Sequence, residues 1–129
     1  MTLIRFTKDH EWIRFDAEEI GTIITVGITD YAQQNLGDIV FVELPTPGSS
    51  FHRGQEVAVI ESIKAAVEIY APLDGQIQDI NTLLNDQPSM INTDPMNVGW
   101  LFTIRLAIPS QLNELMDEDA YQSYVETLP

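Results

Sequence analysis

Residues 57–70 read Val57-Ala58-Val59-Ile60-Glu61-Ser62-Ile63-Lys64-Ala65-Ala66-Val67-Glu68-Ile69-Tyr70. Two apolar, β-branched runs, VAVIESI and AVEIY, flank a lysine, and this composition argues for two short strands. The stretch holds no Gly, Pro, Asn or Asp, the residues that ordinarily build a hairpin turn. Yet Pro72-Leu73-Asp74-Gly75 breaks the chain soon afterwards, so a reversal near Lys64 is the simplest fold. If Lys64-Ala65 forms the loop, Ile63 faces Ala66 and Glu61 faces Glu68. Two like charges directly opposite cost a few tenths of a kcal/mol or more. A loop one residue longer offsets them.

A lysine at a hairpin tip is held out in water. Schiff-base chemistry needs a desolvated amine, so Lys64 is poorly placed as a catalyst. It is well placed as an attachment point, because a modifying enzyme can reach it from all sides. The plainer alternative is a solvated surface lysine. The wider sequence decides between the two.

Outward from this hairpin, short apolar runs alternate with turn signals, the pattern of a mainly β chain. Strands are expected at Glu11–Phe15, Gly21–Ile28, Asp38–Leu44, Val57–Ile63, Ala66–Tyr70, Gln76–Ile80 and Trp100–Ala107. Between the second and third of these, residues 29–37 read as one short helix, with Thr29 as N-cap and Gly37 just past the end. Gly48–Gly54 is a turn region, and Asn81–Gly99 is mostly loop with one helical turn. From Ser110, Leu112, Leu115, Met116, Tyr121, Tyr124, Val125 and Leu128 fall near a helical period. They predict one or two amphipathic helices lying on the sheet, broken near Asp117. The expectation is one domain over residues 1–129.

Twenty Asp and Glu against six Lys and Arg give a formal net charge of −14. That field argues against nucleic-acid and anionic-membrane partners. It suits a protein that is kept soluble by charge or meets basic partner surfaces. With no cysteine, disulfides and thiolate metal sites are impossible, and any sulfur chemistry must arrive on a prosthetic group. The start, Met1 to Phe6, lacks the apolar core of a signal peptide, so a cytoplasmic, bacterial protein is expected, with a mature organellar one as the alternative. His10 and His52 form no metal-binding motif, and no nucleophile–base pair can be assembled, so neither a metal site nor an enzyme is expected. His10 reads as structural, Trp12 and Trp100 as core aromatics, and the acidic run Glu114–Asp119 as a solvated helix face.

Gly48-x-x-Phe51-x-x-Gly54 precedes the lysine strand and Pro72-Leu73-Asp74-Gly75-Gln76-Ile77 follows it, with Gly54 ten residues before Lys64 and Gly75 eleven after. This arrangement resembles the lipoyl and biotinyl carrier domains. Biotin carriers show Met-Lys-Met at the turn and lipoyl domains of 2-oxoacid dehydrogenases usually Asp-Lys-Ala. Glu61-Ser62-Ile63-Lys64-Ala65 instead resembles the H proteins of the glycine cleavage system. His10-Glu11-Trp12, Gly27-Ile28-Thr29-Asp30-Tyr31-Ala32-Gln33, residues 36–45 (LGDIVFVELP), Asp94-Pro95 and Gly99-Trp100 resemble the same family, in the same order, over nearly the whole chain. The segment Asp16–Glu19 looks slightly longer than the family's usual turn, and Ala66–Glu68 falls where the family varies.

The resemblance implies a flattened β-barrel or sandwich hybrid of the lipoyl/biotinyl type, with a short internal helix and C-terminal α-helices. It implies a non-catalytic carrier bearing lipoic acid on Lys64, with Glu61, Ser62, Ile63 and Ala65 forming the turn that lipoate-attaching enzymes recognise. It implies three further partners: a glycine decarboxylase that loads an aminomethyl group, a tetrahydrofolate-dependent aminomethyltransferase that removes it, and a dihydrolipoamide dehydrogenase. A cleft that shelters the loaded arm maps onto Glu11, Leu36 and Glu68, with Asp9 beside them. The expected state is a monomer. The rival within the same fold is a relay that hands lipoyl groups to other lipoate-dependent enzymes. A non-carrier binding module with an unmodified Lys64 is the rival outside it.

Overall fold

The computed structural model describes residues 1–16, 18 and 23–129. The expected long turn at Asp16–Glu19 and the start of the expected strand at Gly21 therefore lie partly outside the described residues. Among the described residues, nine strands form two antiparallel sheets. They are β1 (Thr2–Phe6), β2 (Glu11–Asp16), β3 (Ile23–Ile28), β4 (Ile39–Glu43), β5 (Ser50–Phe51), β6 (Glu56–Ser62), β7 (Ala66–Tyr70), β8 (Gly75–Ile80) and β9 (Phe102–Leu106). One sheet has the order β1-β2-β3-β9-β8-β5 and the other β4-β6-β7. This is the mainly β, barrel–sandwich architecture expected from the sequence.

Between the sheets lie Ile13, Ile24, Val26, Ile60, Leu73, Ile77, Phe102 and Ile104, all essentially dry. Burying each of these side chains contributes about 1.5–3 kcal/mol. Strand β2 is covered on both faces. Its odd residues, Glu11, Ile13 and Phe15, point toward the main core, whereas Trp12 lies in a second cluster with Phe6 and Tyr121. Trp12 stands opposite Gly27, and a Cβ at that position would sit 2.5 Å from the indole, so only glycine leaves room for the ring.

Helix α1 (Asp30–Leu36) begins and ends where the sequence predicts. The Thr29 hydroxyl accepts the N–H of Ala32, and Gly37 closes the helix at φ 78°. The expected loop 81–99 contains two one-turn helices, α2 (Leu83–Asp86) and α3 (Met90–Thr93), which bury Leu84 and Ile91. The C-terminal region does break at Asp117, which caps α4 (Glu118–Glu126). The piece before it, Pro109–Glu114, is a 3-10 helix, and it stops there as Met116 exchanges backbone hydrogen bonds with Phe6. Trp100 is half-buried at the margin of the second cluster.

Strand β1 is absent from the sequence expectations. It is an edge strand, paired only to β2, and its Thr2-Leu3-Ile4-Arg5-Phe6 pattern lacks a preceding turn signal. Strand β5 is two residues inside the expected turn region and pairs with β8.

Candidate functional site

The two-residue loop between β6 and β7 lies one residue earlier than expected, which shifts the pairing by two residues. Glu61 faces Ala66 and Val59 faces Glu68, so the two glutamates are not opposite each other and the predicted repulsion does not arise. The loop is Ile63-Lys64, bounded by Ser62 and Ala65.

The turn needs no glycine because Ser62 builds it. The Ser62 hydroxyl accepts the N–H of Lys64 at 3.3 Å and of Ala65 at 3.1 Å, and donates to the Ala65 carbonyl at 3.2 Å. The Ser62 N–H donates to the same carbonyl at 2.7 Å. Neither Ile63 nor Lys64 has positive φ, so this is not one of the primed turns usual in two-residue hairpins. A side-chain hydroxyl supplies the local acceptor that turn residues ordinarily provide.

A second strut comes from the residue that precedes β4. The Ile63 N–H donates to the Asp38 carbonyl at 3.0 Å. Asp38 is itself held between residues that Asn92 of α3 binds. The Asn92 amide donates to the Gly37 carbonyl, and its oxygen accepts the Ile39 N–H, both at 2.9 Å. The methylene stem of Lys64 lies over Gly37, with Cε 3.7 Å from where a Cβ would stand. Leu36, the last residue of α1, is half-buried beside it. Lys64 is exposed and makes no ion pair among the described residues. A rigid backbone thus presents one unencumbered amine.

Strand β7 leads away from this tip. Glu68 lies midway, exposed, and Tyr70 ends the strand six residues from Lys64, about 20 Å at ~3.3 Å per residue. There β7 meets Glu11. The Tyr70 N–H donates to Glu11 Oε2 at 3.0 Å, and the Thr7 hydroxyl donates to Oε1 at 3.1 Å. Glu11 is 1% exposed and bridges the two sheets. Burial pushes its carboxyl up to about 7, opposed by the Tyr70 N–H and reinforced by the nearby charge of Asp9. Such a shift in a group beside a cleft marks a functional candidate.

The cleft has a volume of about 380 Å³ and is lined by Thr7, Lys8, Asp9, Glu11, Ala71, Pro72 and Met116. Arg53 and Glu114, joined at 3.1 Å, also line it. Of the residues assigned to an arm cleft, Asp9 and Glu11 share this cavity. Glu68 stands on β7 between it and the lysine, and Leu36 stands at the lysine's root.

His10 is structural. It sits at φ 67°, its Nδ1 is 2.8 Å from the Tyr121 hydroxyl, and its ring packs on Tyr31. The same Tyr121 hydroxyl is 2.7 Å from the Thr29 hydroxyl, so α4 ties the loop before Glu11 to the start of α1. Burial lowers the His10 pKa. Ser62 belonged to the expected recognition turn, but its role as the builder of that turn was missed, as was Asn92. Ser62 carries a readable signal, a serine immediately before a glycine-free reversal. Asn92 carries none, since its partners are 53 and 55 residues away.

Two packed antiparallel sheets of this topology define a fold of the lipoyl/biotinyl class. A sequence profile described as Glycine cleavage H-protein matches residues 4–128. The chain is 49% identical to the glycine cleavage system H protein of Rhodospirillum rubrum and 51% identical to that of Parvibaculum lavamentivorans, each over 128 residues and 99% of both chains. It superposes on the crystal structure of a glycine cleavage system H protein from Mycobacterium marinum with a TM-score of 0.84 at 35% identity, over 97% of each chain. The chain belongs to the glycine cleavage H-protein family, whose members are non-catalytic lipoyl-carrier subunits.

Proposed function

We propose that residues 1–129 act as one carrier domain, that Lys64 bears the lipoyl group in amide linkage, and that Glu61, Ser62, Ile63 and Ala65 are read by the attaching enzyme. The observation that carries this reading is the exposed Lys64 amine on a turn whose backbone is fixed by Ser62, Asp38 and Asn92. When bound, the lipoyl dithiol supplies the sulfur that takes an aminomethyl group from glycine decarboxylase to the aminomethyltransferase and returns electrons to dihydrolipoamide dehydrogenase. The lysine's tether raises the effective concentration of its cargo at each partner.

Glu11, with Asp9, is the charged wall of the sheltering cleft, and Glu68 and Leu36 mark the way to it from Lys64. A buried carboxyl near pKa 7 ionises readily when a cation enters beside it, because the cation offsets the desolvation that raised the pKa. Thr7, Pro72 and Met116 wall the cleft, and a group seated against them would be screened from water on that side. No helix among the described residues is long and apolar enough to cross a membrane. We assign the working state as a monomer in the cytoplasm.

The test is intact mass and peptide mapping of the chain isolated from cells that lipoylate other proteins. A lipoyl adduct confined to Lys64, abolished in Lys64→Arg with the melting temperature unchanged, is the expected result. An unmodified Lys64 in such cells would reject the reading.

A further inference from the structure

The outer face of the β4-β6-β7 sheet carries an exposed apolar patch. A β-bulge between Ile39 and Phe41 turns two consecutive β4 residues outward, leaving Val40 and Phe41 54% and 51% exposed. Ile63, 71% exposed, stands at the tip beside them, tied to Asp38 through its N–H. Phe41 lies directly opposite Glu61, one residue from Ser62. Carboxylates ring the patch. Glu43 faces Val59, which in turn faces Glu68, and Glu61 and Asp38 complete the rim. None of the four makes an ion pair among the described residues. Among the described residues, Lys64 is the only Lys or Arg of β4, β6, β7 and the hairpin that joins β6 to β7.

We propose that this patch is the docking surface for the enzyme that acylates Lys64, and that the occupant presents an apolar contact ringed by Arg and Lys. The proposal rests on the carrier reading and extends the recognised region from the turn itself to β4. Exposed apolar residues inside a charged rim are the anatomy of a protein interface, and opposite charge steers the encounter.

Proximity singles out the acylating enzyme among possible partners. In that step the deprotonated Nζ attacks the acyl carbon of an activated lipoyl donor, an acyl adenylate or thioester. The C–N bond forms, the bond to AMP or thiolate breaks, and one of the two amine protons passes to a base on the enzyme or to solvent while the other stays on the amide nitrogen. The enzyme must therefore bring its reacting carbon to bonding distance of Lys64 and cover the neighbouring Ile63. A partner that works on the far end of a completed arm has no such need.

The test uses the full, unmodified chain with a lipoate–protein ligase, lipoic acid and ATP, following acylation by intact mass at varied chain concentration. Phe41→Ser should lower kcat/KM at least tenfold, chiefly through KM, and Phe41→Leu should recover most of it. Ile108→Ser, an exposed apolar site elsewhere, serves as the control for general surface effects. The double variant Glu43→Gln/Glu68→Gln should flatten the fall of kcat/KM with ionic strength. Melting curves establish that each variant is folded.

Chains acylated to completion are then reduced by dihydrolipoamide dehydrogenase. A loss confined to attachment supports the assignment. Wild-type attachment kinetics in Phe41→Ser, or an equal loss in attachment and reduction, overturns it while leaving the carrier reading intact. Failure of the wild-type chain to be acylated at all would overturn both.

Discussion

Replacing Glu11 by glutamine probes the cleft through a quantity independent of any partner. An acid whose pKa is higher in the folded chain than in the unfolded one holds its proton more tightly when native. Its stabilising contribution is complete below about pH 4.5 and is lost as the pH rises through about 7. A rise from 4.5 to about 7 corresponds to roughly 3 kcal/mol at 1.36 kcal/mol per unit, the cost of keeping this buried carboxylate ionised. Glutamine has nearly the same shape, can accept the Tyr70 N–H and carries no charge. Glu11→Gln should therefore be more stable than wild type at pH 8 by about 1–3 kcal/mol, allowing for imperfect hydrogen bonding to Thr7. At pH 4 the two should be equal within about 1 kcal/mol. Urea unfolding at pH 4, 6 and 8 measures this directly. The same substitution should leave lipoylation intact and speed hydrolysis of the loaded arm, the trade of stability against function expected of a site residue. A variant less stable than wild type at pH 8, or a wild-type stability that does not fall between pH 5 and 8, would refute the assignment of a strained, ionisable Glu11. Unchanged lifetime of the loaded arm would remove Glu11 from the sheltering role.

Ser62→Ala removes the hydroxyl that accepts two N–H groups and donates to one carbonyl at the tip. It should cost about 1–2 kcal/mol in urea unfolding, with faster hydrogen exchange at Lys64 and Ala65 and slower attachment at Lys64. Gly27→Ala forces a methyl group into the Trp12 indole and should cost about 1–3 kcal/mol, read as a lower melting temperature with an altered near-ultraviolet dichroism of the displaced ring.

The sequence by itself determined whatever depends on neighbours along the chain. Alternation in residues 57–63 and 66–70 placed β6 and β7 on either side of Lys64, and Thr29 and Gly37 set the ends of α1, because strand pleating and helix capping are local chemistry. The lysine's exposure followed from the forced reversal. Register did not follow, since the turn is built by a serine hydroxyl and not by a turn residue of the usual kind, and a one-residue change of loop moved Glu61 from Glu68 to Ala66. The edge strand β1 was equally invisible, and of the two one-turn helices in residues 81–99 only one was expected, these elements being short. The pKa of Glu11 was decided wholly by tertiary structure. Its carboxylate meets a backbone N–H 59 residues away, where the two sheets close over it and exclude water. A periodicity can show that a strand has an inner face. Only the approach of the second sheet fixes what that face must touch, and so whether a glutamate there is an ordinary surface charge or a buried acid poised near neutrality.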